Sequence, residues 1–156
     1  MGLKDSLMHA ASGLFFERPG RGKNLDEWRA ALIASGAAID QRAAAAKDPV
    51  KASIVLRHIS GIERWGQRRL RVFLGEPALT DEYDGYRPGT DLTLDEQRAF
   101  FRETRDGTVA LIDQLKAADS TPDTVSHNDY GPLSMGGWLR YLDIHANLES
   151  KKIATR

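Results

Sequence analysis

The sequence predicts an all-α fold, a four-helix bundle with one long crossover between helices two and three. Three observations predict it. Four stretches carry apolar residues at helical spacing, and each opens on a capping residue. No stretch shows a convincing strand alternation. The second and third stretches are joined by about nineteen residues, long for a compact domain and suited to a crossover. A chain of 156 residues is one domain long enough to bury a core. We divide it into an N-terminal arm, residues 1–23, and the bundle domain, residues 24–156.

In the arm, Leu3, Leu7 and Leu14 line one face of a short amphipathic helix, and Glu17–Lys23 is a turn-rich basic breaker. The arm is expected to pack on the outside of the domain. Helix one starts at Asn24, with Glu27 three residues on and acids in the first turn. Trp28, Leu32, Ser35, Ile39 and Ala43 follow at helical spacing to about Ala46. Asp48 and Pro49 then serve as N-cap and first residue of helix two. This helix runs to about Leu74, where Gly75-Glu76-Pro77 ends it. Its apolar stripe is Val55, His58/Ile59, Ile62, Trp65 and Phe73; Trp65, like Trp138 of helix four, is read as core. Its other side carries Arg64, Arg68, Arg69 and Arg71, expected to be solvated.

The crossover, Pro77–Asp91, is acidic and aromatic. Its run Asp81-Glu82-Tyr83-Asp84-Gly85 lacks the alternating oxygen ligands of a calcium loop. Thr93 and Glu96 form the capping box of helix three, whose face is Leu94, Phe101, Thr104, Thr108, Leu111, Ile112 and Leu115. It ends near Ala118, before Asp119-Ser120-Thr121-Pro122. A second loop, Pro122–Pro132, holds His127. Ser134 caps helix four, which passes through Trp138, Leu142, His145, Glu149 and Ile153.

Composition narrows the function. Lys+Arg 22 against Asp+Glu 22 gives a net charge of +0, without the basic excess of a general nucleic-acid binder. With no cysteine there is no disulfide, thiolate metal site or cysteine nucleophile. No apolar run reaches the roughly 18–20 residues of a membrane span. The start MGLKDS fits the formal myristoylation pattern, but nothing basic follows as a second membrane signal. Asp5 and His9 interrupt what would be the apolar region of a signal peptide. The expectation is a soluble cytoplasmic protein.

The stretch richest in chemistry is helix four. His145 and Glu149 are four residues apart, so on a helix they share a face. A histidine and a carboxylate so placed can chelate one divalent metal, with a third ligand from elsewhere. His58, on the face of helix two that must be buried, supplies it. A histidine on an apolar stripe alone reads as a satisfied core residue. Three groups converging are different: a buried carboxylate needs a partner, and a metal satisfies all three. Three nitrogen and oxygen ligands leave positions open, as in a catalytic site rather than a structural one. Glu63 lies five residues beyond His58, points elsewhere, and is read as structural.

The segment His127-Asn-Asp-Tyr-Gly131-Pro-Leu-Ser, continuing through Trp138-Leu-Arg-Tyr to His145 and Glu149, resembles the last helix of DinB-like proteins. These are damage-inducible and bacillithiol-transferase-like metalloenzymes. Arg57-His58-Ile-Ser-Gly-Ile62-Glu63-Arg-Trp65 resembles the helix-two histidine segment of the same superfamily. The resemblance covers nearly the whole chain after residue 24 and implies a bundle with a long crossover and a divalent metal on three histidines. Carried over, the ligand positions are His58, His145 and Glu149, so a carboxylate stands where the family has its last histidine.

Two readings follow. Glu149 binds, giving a two-histidine, one-carboxylate site for zinc or nickel, with iron or manganese as alternatives. Its charge would then make a coordinated water less acidic than on three neutral ligands. Or the site has lapsed, and the chain is a non-catalytic, stress-linked binding or dimerisation module. His127 occupies the family's loop-histidine position, as a general base or outer group near the metal, or as a simple cap. The resemblance also implies transfer of a small-molecule thiol to an electrophile, or hydrolysis, and a homodimer. The arginine face of helix two would then steer an anionic thiol.

Overall fold

A computed structural model describes residues 2–119 and 121–156. Met1 of the predicted arm and Ser120 of the turn after helix three lie outside the described residues. The chain is mostly helical, with one two-stranded ribbon. Four long helices match the predicted ones: α3 (Leu25–Ala44), α4 (Pro49–Leu70), α5 (Leu94–Ala117) and α6 (Met135–Ser150). They follow α1 (Leu3–Ser12), a π-turn at Gly13–Glu17 and α2 (Arg18–Arg21). No helix among the described residues is long and apolar enough to cross a membrane.

The caps act as the sequence predicts. Asn24 Oδ1 accepts from Glu27 N at 2.9 Å, and Glu27 Oε2 accepts from Asn24 N at 2.8 Å. Asp48 accepts from Lys51 N, and Thr93 exchanges bonds with Glu96. Helix two ends earlier than predicted as an α-helix. Arg71–Leu74 tightens into a 3₁₀ turn, and Gly75 then takes a left-handed φ of 99°. Glu76 N and Gly75 N close back on Arg71 and Val72, satisfying the last carbonyls.

Residues 75–93 retrace α4 from end to beginning. Arg68 donates to Pro77 O, Trp65 Nε1 to Asp81 O, Arg57 to Pro88 O, and Ser53 to Leu92 O. The chain therefore enters α5 beside the start of α4, and the two helices run parallel. The core shows the same order. Ile39, Ala43, Ala52, Val55, Ile59, Phe101 and Ala146 pack at one end. Trp28, Leu32, Ile62, Trp65, Leu111, Leu115, Trp138 and Leu142 pack at the other. So α3 and α6 run opposite to α4 and α5, and α5 and α6 each contact both α3 and α4.

Three expectations are corrected. First, residues 122–132 are not a plain loop. Val125–His127 (β1) pairs antiparallel with Gly131–Leu133 (β2), Val125 opposite Leu133. A three-residue turn, Asn128–Tyr130, leads into Gly131, φ 73°, and closes a ribbon short enough to escape any alternation test. Second, Arg69 is not on a solvated face. It is 1% exposed, binds Asp81 Oδ1 at 2.6 Å and stacks over Trp65 at 4.3 Å. Its partner lies in the crossover, invisible to helical periodicity, while Arg64 and Arg71 are exposed.

Third, the arm's leucines face outward. Leu3, Leu7 and Leu14 are exposed, and Ser12, Phe16 and Gly20 face the domain instead. The extra residue of the π-turn rotates the chain so that these inner positions fall in line. Glu17 Oε1 accepts from Ser134 N at 2.7 Å and from Ser134 Oγ at 3.0 Å. Gly20 and Gly136 meet backbone to backbone, where a Cβ on either would approach the other's chain to about 2.5 Å.

Candidate metal centre

Two helices build the centre. On α4, His58 sits on the face turned to α6, one turn before Ile62 and two before Trp65, both buried. On α6, the antiparallel run brings His145 opposite His58, and Glu149 follows one turn on. One ligand atom from each of His58, His145 and Glu149 lies within 4.8 Å of the others, and all three side chains are half-buried. The group could hold a metal ion.

The two Nε2 atoms are 3.2 Å apart. Two zinc–nitrogen bonds of about 2.0–2.1 Å at a near-tetrahedral angle separate their nitrogens by about 3.3 Å, so the spacing fits a shared ion. It is also the spacing of one imidazole donating to another. Glu149 is held by Lys152, whose Nζ lies 2.9 Å and 2.7 Å from the two carboxylate oxygens.

The protonation states suit metal ligation. Burial, then the neighbouring His58, pushes His145 down to about 4. Burial also lowers His58, against the pull of Glu149. Burial works to raise Glu149, but the Lys152 hydrogen bond and charge, with both histidines, bring it below the ordinary carboxylate range. At neutral pH the set is two neutral imidazoles and one carboxylate, the form that binds a divalent cation.

His127 stands behind this group, in the core, and is 4% exposed. It stacks on Trp138 at 5.1 Å and meets Trp65 and Tyr141 edge-on at 5.0 and 4.6 Å. Its Nδ1 accepts from the backbone N–H groups of Asp129 and Tyr130, at 3.0 and 3.3 Å. It therefore caps the ribbon turn rather than the start of α6. A lone pair used at Nδ1 puts the proton on Nε2, which has no partner among the described residues. Burial first, then the charge of Arg69, pushes His127 down to about 3.

Three residues around the centre were not assigned to it from the sequence. Lys152 holds Glu149. Tyr83, on the crossover's 3₁₀ turn, packs edge-on to His58 at 5.6 Å. Tyr141 lies 6.0 Å from the His145 ring. Tyr141 was within reach of pattern reading, being four residues before His145; Tyr83 was not, because the crossover alone brings it there. Glu63 takes no part. It is buried on Arg105, at 2.7 and 2.9 Å, with Thr108 donating to it. A cleft of about 340 Å³ between α3 and α5, lined by Gly36, Phe101 and Val109, holds none of the centre's residues.

No family model matches the chain, and no curated protein or solved structure matches it.

Proposed function

We propose that this chain is a divalent-metal-dependent enzyme of the DinB-like kind, its four long helices forming a four-helix bundle with one crossover. One observation carries the reading: two histidines and a carboxylate, from two antiparallel helices, converge within 4.8 Å in ligand-competent protonation states. The resemblance of the His58 and His145 segments to DinB-like proteins adds the reaction class, transfer of a small-molecule thiol to an electrophile or hydrolysis, in a soluble cytoplasmic protein. Zinc or nickel suits the donor set, and iron or manganese is the alternative.

When bound, the metal supplies Lewis acidity toward a thiol, a water or a carbonyl oxygen. The chain's own part is positioning. His58 and His145 present Nε2 from helices whose separation is fixed by the core packed on both sides. Glu149 would serve as third ligand, its carboxylate positioned by Lys152 Nζ. Lys152, largely exposed beside Glu149, would offer a positive charge at the rim, suited to an anionic substrate. Tyr83 and the crossover cover the His58 side and limit the approach of water.

A second reading, a non-catalytic bundle used for binding or dimerisation, draws on one observation. The His58–His145 contact and the Glu149–Lys152 pair already satisfy these groups without an ion. Elemental analysis after reconstitution with divalent metal separates the two. The metal reading expects about one metal per wild-type chain and its loss in His145→Ala. No metal in either protein would overturn it and leave the binding module.

A further inference from the structure

Tyr141 is one turn before His145 on α6, so the two side chains leave the same face. It is 9% exposed. Phe16, His127 and Trp138 hold its ring edge-on at 5.5, 4.6 and 5.8 Å. Phenylalanine would fill that space equally well. The hydroxyl is thus unexplained by packing, and it makes no hydrogen bond among the described residues. The ring is held inside while its oxygen is not among the buried unpartnered atoms, so solvent reaches the hydroxyl and it is free to donate to a ligand. The Tyr130 ring lies 6.0 Å from the Tyr141 ring, and after burial the charges of Tyr130, Asp129 and Tyr83 act on the Tyr141 hydroxyl. Tyr83 in turn packs on His58. Tyr83 and Tyr141 therefore flank the histidine pair, one against each ring.

We infer that Tyr141 Oη donates a hydrogen bond to a small oxyanion bound at the His58–His145–Glu149 centre, a carboxylate or hydroxamate in chemical class. The inference rests on the metal-centre reading. Two neutral imidazoles and one carboxylate leave a divalent ion with a net positive charge, which favours a monoanion in its open position. An O–H donor bonds an anionic oxygen strongly and a sulfur weakly. The phenol therefore selects oxygen over sulfur at that position, which assigns the oxyanion to the acceptor substrate rather than to a thiol.

The test loads the full chain with cobalt(II) and follows its visible bands during titration with acetohydroxamate, and separately with 2-mercaptoethanol. Tyr141→Phe is expected to keep its cobalt stoichiometry and bind acetohydroxamate about tenfold more weakly. Its affinity for 2-mercaptoethanol should change by less than about twofold, sulfur being the weaker acceptor. In zinc-loaded wild-type protein labelled at tyrosine Cζ, acetohydroxamate should shift one resonance, which vanishes in Tyr141→Phe. Equal hydroxamate affinity at full cobalt occupancy would overturn this inference and leave the metal centre standing. Failure of the wild-type chain to take up cobalt would overturn both. Should Tyr141→Phe fail to fold, the Cζ titration is repeated in Tyr83→Phe, Tyr86→Phe and Tyr130→Phe: a shift that survives all three sustains the inference, and one lost in any of them, or absent throughout, overturns it.

Discussion

His127 carries two backbone N–H bonds on Nδ1 and keeps its proton on Nε2, inside a cage of rings. Protonation would break the turn bonds and bury a charge beside Arg69. Its folded value is about 3 against an ordinary 6.5, so the sign follows directly. Above pH 6.5 both folded and unfolded chains hold the neutral ring and its contribution is complete. Between 6.5 and 3 only the unfolded chain takes up the proton, and stability falls with pH. At pH 5 the loss is about 2 kcal/mol from this residue. His127→Asn keeps an acceptor for the turn and removes the titration. Its metal-free urea midpoints should fall less steeply from pH 7.5 to 5 than those of wild type. Equal slopes would show that the buried ring is not the titrating group. The position of His127 was legible as a loop histidine, but its turn role was not, because the N–H groups it caps follow it in a hairpin too short to announce itself.

Among the elements, the N-terminal arm departs furthest from its pattern. Leu3, Leu7 and Leu14 have helical spacing, and a period alone assigns them to a buried face. The π-turn at Gly13–Glu17 and the glycine contact decide otherwise. Gly20 and Gly136 let α2 lie backbone to backbone on the start of α6, and Glu17 caps that start beside them. Gly136→Ala would drive a Cβ into Gly20 O, and only a backbone shift relieves that. We expect it to undock the arm, lower the melting temperature by several degrees, and open the 18–21 segment to limited proteolysis, while the four long helices retain their circular dichroism. An unchanged proteolysis pattern would mean that the close approach relaxes without loss. Helix starts, by contrast, were legible almost to the residue: Asn24 with Glu27, Asp48 with Pro49, Thr93 with Glu96, and Ser134. Capping is local, and the chain needs no distant partner to make it.

At the scale of the molecule, Glu63 and Arg105 tie three helices together. Arg105 bonds Glu63 from α5 to α4 and reaches Leu32 O and Ser35 Oγ on α3, at 2.8 and 2.9 Å. Both charges are almost wholly buried. Glu63→Ala leaves a buried guanidinium without its counter-charge and should cost about 3–5 kcal/mol in urea unfolding. Replacing both partners, Glu63→Leu with Arg105→Met, should recover most of that loss; no recovery would locate the cost in packing rather than charge. Glu63 was legible as structural, since it lies off the His58 face, but Arg105 was not: an arginine among apolar neighbours shows nothing of a partner on another helix. The convergence of His58, His145 and Glu149 was legible, because two helical periods and one antiparallel pairing suffice to bring them together.

The path of residues 75–93 also sets how the molecule comes together in time. Had α4 turned straight back into α5, their first contacts would join residues a few positions apart. Because the chain retraces α4, Glu63 meets Arg105 across 42 residues, and Gln67 meets Thr104 and Thr108 across 37 and 41. The helices can wind locally, yet the pairing of α4 with α5 must await closure of the long segment between them. The slow step in folding is then expected to be the arrival of α5, after the helices that carry the centre's ligands have wound.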